Sequence, residues 1–283
     1  MRKELIELVF KVAKEKNAFE QLENYVATIS KKKLIENIID VGILPEMFDH
    51  DSSEEKIWAK LSDIFLAQSL NYLGVKSEVL GARGNSADVL GRTKEYTLVA
   101  DAKTFRLSRT AKNQKDFKVN ALDTWRQTNN YALLVAPLAQ YPSRKSQIYS
   151  QAVSKNVTLL SYTHLHFLLD FSNQKSLKSV LETGKRLSEN SDLKLQDAIQ
   201  YWEFIDRTIA NSVNQPIEKI KQYRNLEIQK TKQIGLEGIN YWNEKIKSFQ
   251  NLSKEDAIKL LIKSEKIENK IKTIQKTINI EGI

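Results

Sequence analysis

Cysteine is absent from this 283-residue chain, which excludes disulfides, thiolate zinc sites and cysteine nucleophiles together and favours an intracellular setting. Histidine is scarce, with three residues, and the pair His164 and His166 in "YTHLHFLL" makes a poor metal site because helix positions two apart face different directions. Packing or surface roles are preferred for both. Proline and glycine number only 4 and 9, and there is no low-complexity tract or fixed-period repeat, so a linker-dominated architecture is not expected. Long apolar runs are missing too. The opening "MRKELIELVFKVAKEKN" is too short and too interrupted by Glu4, Glu7 and Lys11 for a secretory segment, and no later window nears the roughly 20 apolar residues of a membrane span. The expectation is a soluble, cytoplasmic protein.

Positive charge is plentiful: 44 Lys+Arg against 35 Asp+Glu leave a formal +9, which favours a polyanionic partner, nucleic acid before an anionic membrane surface. The C-terminal segments carry Glu as densely as Lys, which argues against the membrane.

Residues 3 to 41 read as helical, with Leu5, Leu8, Val9 and Val12 on one stripe and Leu34, Ile38 and Val41 on another, stopped by Gly42 and Pro45. A second helix follows, with Ser52 or Ser53 as N-cap and Ile57, Leu61, Ile64 and Phe65 along one face as far as Gly74. The period then changes: "VKSEVL", "ADVLG" and "EYTLVADAK" are short β-branched runs, as in an antiparallel meander. Residues 111 to 127 read as helix, "YALLVAP" as a buried strand, 143 to 155 as helix, "NVTLLS" as a strand, and "THLHFLLDF" as a helix capped by Thr163. The fold class is α/β (α+β), a mixed sheet flanked by helices. From about residue 193 only helical spacing remains. The expected division is N-terminal helices at 1–50, a catalytic core at 51–190 and a helical region at 191–283 serving packing and dimerisation. Trp125, Trp202 and Trp242 sit at apolar helical spacing and are expected in cores.

Asp101 and Lys103 share one face of a strand because side chains alternate with period two, and Asp88 lies on the neighbouring strand. Two carboxylates with the Ala102 carbonyl and waters suit Mg²⁺, which can polarise a phosphodiester, while a lysine beside it orients a nucleophile and offsets building charge. Glu55, in the first turn of the preceding helix, is a further candidate ligand, or simply a partner of the helix dipole. An acid, a gap and then acid-x-Lys at the end of an apolar strand is the PD-(D/E)XK nuclease pattern. Alone it is weak, since such triplets arise by chance in charge-rich chains and a strand Asp beside Lys is often just an ion pair. A basic run follows: Lys103, Arg106, Arg109, Lys112, Lys115 and Lys118 oppose Asp116 alone. Its three-residue step precesses around a helix, as solvated charge would, but also as a loop leading into a helix in a DNA groove would. There Arg106 and Arg109 suit guanine edges, and Asn113 or Gln114 adenine.

The string "RGNSADVL…TLVADAKTFRLSRTAKNQKDFKVNAL" closely resembles the HindIII family of type II restriction endonucleases, and "GILPE", "SSEEKIWAKLSDIFLA", "YALLVAPLAQYP" and "KSQIYSQAVSKNVTLLSYTHLHFLL" agree in order. The resemblance spans nearly the whole chain. It implies a Mg²⁺-dependent homodimer in a bacterial cytoplasm that cuts a palindrome, AAGCTT after the first A with four-base 5′ overhangs, beside a cognate DNA methyltransferase. Asp101 and Lys103 fall on the catalytic acid-x-Lys. Asp116 and Lys118 fall in a segment associated with the active site and DNA contact, and Arg83 and Asn85 lie in the matching "RGN". One position departs: where the family carries glutamate two places before Arg83, this chain has Gly81. Asp88 is then the better first ligand, with Glu78 and Glu55 as substitutes. Two other readings stand beside this one, a repair or recombination nuclease of the same fold and a DNA-binding protein that does not cleave.

Overall fold

The stripe over residues 3–41 is divided among three helices, α1 (Arg2–Val12), α2 (Ala18–Thr28) and α3 (Lys31–Val41), in a computed structural model that describes residues 2–81, 86–109, 114–171, 174–189, 197–265 and 267–278. Ser30, in extended backbone, starts α3 by accepting the Lys33 N–H, a bond that one continuous helix would forbid. Helix α4 (Ser53–Tyr72) begins as expected, with the Ser52 hydroxyl accepting the Glu55 N–H at 3.1 Å. Every residue from Leu61 to Ala67 is buried, so this stretch of α4 is enclosed on all sides and packs on the sheet's first three strands.

Those strands are β1 (Lys76–Val79), β2 (Val89–Arg92) and β3 (Thr97–Ala102), followed by β4 (Tyr131–Ala136) and β5 (Val157–Ser161). The sheet runs β1-β2-β3-β4-β5, antiparallel through the first three and parallel through the last three. The mixed sheet expected from the sequence is therefore present. Nearly all of β3, β4 and β5 is buried, because parallel strands are covered on both faces, whereas edge strand β1 is half exposed. The crossovers between parallel neighbours carry α5 (Gln114–Phe117) and α6 (Val119–Arg126), then α7 (Gln147–Ser154). The single helix expected over 111–127 is broken at Lys118, whose φ of 49° is left-handed.

Helix α8 (Tyr162–Phe171) starts directly off β5, so Thr163 is not its cap; it lies inside the first turn, and its hydroxyl donates to Glu227. Then come α9 (Gln174–Leu181), α10 (Thr183–Ser188), α11 (Ala198–Ser212), α12 (Ile217–Gln250), α13 (Lys254–Ser264) and α14 (Ile267–Ile278). Residues 1–235 form one compact unit and 236–283 a second, with the boundary within α12. In the second unit Trp242 is 45% exposed, against the expectation of a core position, because a unit this small has too little chain to enclose it. Trp202 is buried and Trp125 packs against the core as expected. No helix among the described residues is long and apolar enough to cross a membrane.

Glu227 of α12 is buried and accepts both the Leu138 N–H, just past β4, at 3.0 Å and the Thr163 hydroxyl. Burial pushes its carboxyl up to about 7 from an ordinary 4.5. The folded protein thus holds this proton more tightly than the unfolded chain, so its contribution to stability is full at low pH and falls as pH rises from the ordinary value to about 7. Glu227→Gln should flatten that dependence in thermal unfolding between about pH 5 and 8; an unchanged slope would assign it to other groups.

Candidate active site

The carboxylates of Asp63, Asp88 and Asp101 bring one oxygen each within 4.8 Å of one another. They arrive from three elements: Asp63 from the enclosed part of α4, Asp88 from the residue before β2, and Asp101 from near the end of β3. Asp63 Oδ1 accepts the Ala102 N–H at 3.2 Å, which pins α4 to the strand end. The Lys103 ammonium pairs with Asp101. The lysine's backbone is held at both polar groups, its N–H donating to the Val135 carbonyl at 2.7 Å and its carbonyl accepting the Tyr162 hydroxyl at 3.1 Å. That tyrosine ring fits only because residue 42 is glycine, since a Cβ there would stand 2.5 Å from ring carbons Cδ2 and Cε2. Gly42→Ala should therefore cost about 1–3 kcal/mol in urea unfolding. Wild-type stability would mean that the ring yields freely.

Burial pushes the Asp63 carboxyl well above the usual carboxylate range, and the Asp88 and Asp101 charges push it further, with Lys60 and Lys103 opposing. Asp101 is raised as well, by burial first and by Asp88, against the pull of Lys103. Asp101 Oδ1 is buried without a hydrogen-bond partner. Hard oxygen donors, crowded like charges and a buried acceptor with nothing to accept are what a small divalent cation satisfies, so the residues fit Mg²⁺. Among the described residues no other group of His, Asp and Glu meets this geometry.

The pairing of Asp88, Asp101 and Lys103 proposed from strand alternation is thus assembled in space. Ala102 joins the group through its N–H. Asp63 was missed, although a carboxylate set in the apolar run "LSDIFLA" is a legible oddity: a charge inside an all-round buried helix needs a partner. Glu55 stands outside the group, its carboxylate accepting from Arg106 at 3.0 Å and from the Asp51 N–H at 2.7 Å. Glu78 also stands outside, on edge strand β1. Arg106 bonds the Phe48 carbonyl as well, at 2.6 Å, so it braces the exit of β3. Arg109 pairs with Asp116 and lies over the Phe105 ring, and the Lys118 ammonium lies over Trp125. Arg83, Asn85, Lys112 and Asn113 fall outside the described residues, and of Lys115 only the backbone, in α5, is described.

Ser161, His164 and Asp206 have the order of a nucleophile triad but not its access, all three being buried. His164 Nδ1 accepts the Ser161 N–H at 2.9 Å and Nε2 meets Asp206 Oδ1 at 2.9 Å, while burial lowers the imidazole's pKa. This is a cross-tie between α8 and α11, consistent with the packing role expected for that histidine.

Comparison with known proteins adds to this geometry. A family model described as HindIII restriction endonuclease matches residues 6–278. The type II restriction enzyme HindIII of Haemophilus influenzae is 37% identical over 271 residues, covering 92% of this chain and 88% of that protein. A match of this extent, over a mixed sheet whose third strand ends in an acid-x-Lys beside two further carboxylates, shows that the chain belongs to the HindIII restriction endonuclease family.

Proposed function

We propose that this protein hydrolyses both strands of DNA at a palindrome, AAGCTT after its first A by likeness to the family, leaving four-base 5′ overhangs and requiring Mg²⁺. The observation that carries this reading is the convergence of Asp63, Asp88 and Asp101 beside Lys103. The three carboxylates would hold the cation, which supplies Lewis-acid polarisation of the scissile phosphate. Lys103, with backbone fixed by Val135 and Tyr162, holds its ammonium where it can donate to an attacking water and offset charge gathering on the phosphate oxygens. Burial of Asp63 and Asp101, with Asp88 half-buried beside them, limits screening by bulk water, so these charges act at greater strength than at a surface.

A palindromic target asks for two identical reading surfaces, so the acting form is a homodimer. The formal net charge of +9 favours contact with the phosphate backbone, so affinity for DNA falls steeply with salt. The protein acts in the cytoplasm beside a cognate methyltransferase that protects host DNA. The test is digestion of a sequenced plasmid by purified protein in Mg²⁺ or EDTA, with fragment ends sequenced. Discrete ends within AAGCTT support the whole reading. Discrete ends elsewhere keep the nuclease and reject its specificity, structure-dependent cutting favours a repair enzyme, and tight binding without nicking favours a protein that no longer cleaves.

A further inference from the structure

Lys60 precedes Asp63 by one turn of α4, and its ammonium, instead of extending into solvent, donates to the Leu80 carbonyl at 2.9 Å in a partly buried position. The Leu80 N–H in turn donates to the Asp88 carbonyl at 2.8 Å. This pair adds a rung to the β1–β2 ladder beyond Val79 and Val89, and it is the rung that carries Asp88. One helix therefore bears both a carboxylate of the site and the clamp on the hairpin that delivers another. We propose that Lys60 is a positioning residue for the metal site, acting through Leu80 to fix Asp88 against Asp63. The proposal rests on the reading that the three carboxylates hold a divalent cation.

The physical argument is that a ladder end frays unless its outermost groups are tied. Without Lys60 the Leu80 carbonyl loses its side-chain donor, the last rung loosens and Asp88 drifts from the other two carboxylates. A competing role exists, because Lys60 is also one of the two cations that oppose the crowded charge at Asp63. The two roles predict opposite signs. An ammonium that merely repels an incoming cation leaves a more negative site when removed, and the metal binds more tightly. A clamp leaves a less converged site, and the metal binds more weakly.

The experiment is titration of the full-length, DNA-free protein with Mn²⁺, reading free ion by electron paramagnetic resonance, for wild type, Lys60→Met, Lys60→Gln, Lys60→Arg and Asp101→Asn. Lys60→Met and Lys60→Gln, whose amide falls short of Leu80, should each weaken Mn²⁺ binding roughly tenfold, in the range seen on loss of outer supports of metal ligands. Their thermal midpoints in EDTA should stay near wild type, and Lys60→Arg, which keeps a donor of sufficient reach, should recover most of the affinity. Wild-type or tighter binding in either neutral variant overturns the proposal, as does weakening that only follows a fall in the thermal midpoint. If wild type binds no Mn²⁺, or Asp101→Asn binds it equally well, the metal reading fails first and this inference falls with it.

Discussion

Asp101→Asn should cut cleavage of an AAGCTT duplex by on the order of a thousandfold or more, because several kcal/mol of charge stabilisation vanish with the cation's buried ligand. The amide keeps the shape of the side chain, so the loss is chemical. Two further readings should move with it. Mg²⁺ should raise the thermal midpoint of the wild type, since an ion that binds only the folded state stabilises it, and should leave the variant unmoved. In EDTA the variant should bind duplex at least as tightly as wild type, because a buried carboxylate that would face the scissile phosphate on the proposed reading has been removed. Single-turnover cleavage, thermal unfolding and filter binding measure the three. Near-normal cutting would remove Asp101 from the chemistry, and joint loss of folding and DNA binding would make it structural.

Lys103→Met should lower single-turnover cleavage by about 10²–10³-fold, the usual cost of removing one group aimed at developing charge. Its effect on the metal should run the other way. The Lys103 ammonium sits beside Asp101 and repels an incoming cation, so the variant should bind Mn²⁺ at least as tightly as wild type. Methionine keeps the apolar stem, and the backbone bonds to Val135 and Tyr162 do not involve the ammonium. Unaltered metal affinity with lost turnover would mark a group that serves the reaction, whereas parallel loss of both would mean that Lys103 chiefly holds Asp101 in place.

Much of this protein is legible one element at a time. The Ser52 cap, the β-branched runs of the meander and the alternation that sets Asp101 and Lys103 on one side of β3 follow from local backbone preferences. Likeness along the chain brings in the family, and with it expectations for Asp101 and Lys103. The breaks at Ser30 and at Lys118 were harder to see, since apolar spacing runs on through them while a single side-chain bond or one left-handed φ interrupts the helix.

What pattern alone could not decide is which distant groups meet. Arg106, in the middle of a basic run, reads as a free phosphate or base contact, yet Glu55 and the Phe48 carbonyl take its guanidinium. Trp242 has core-like spacing but stands in a unit with too little chain to bury it. Asp63 shows the limit most clearly: its burial was foreshadowed by apolar neighbours, but its partners Asp88 and Asp101 lie beside β2 and in β3, which α4 meets only through tertiary packing. The sequence by itself determined the elements, the acid-x-Lys face and the family, because these rest on spacing within a few residues. The tertiary structure alone decided the third carboxylate, the clamp at Lys60 and the engagement of Arg106, because each depends on how a helix seats against strands far along the chain, and that is set by packing of the whole core.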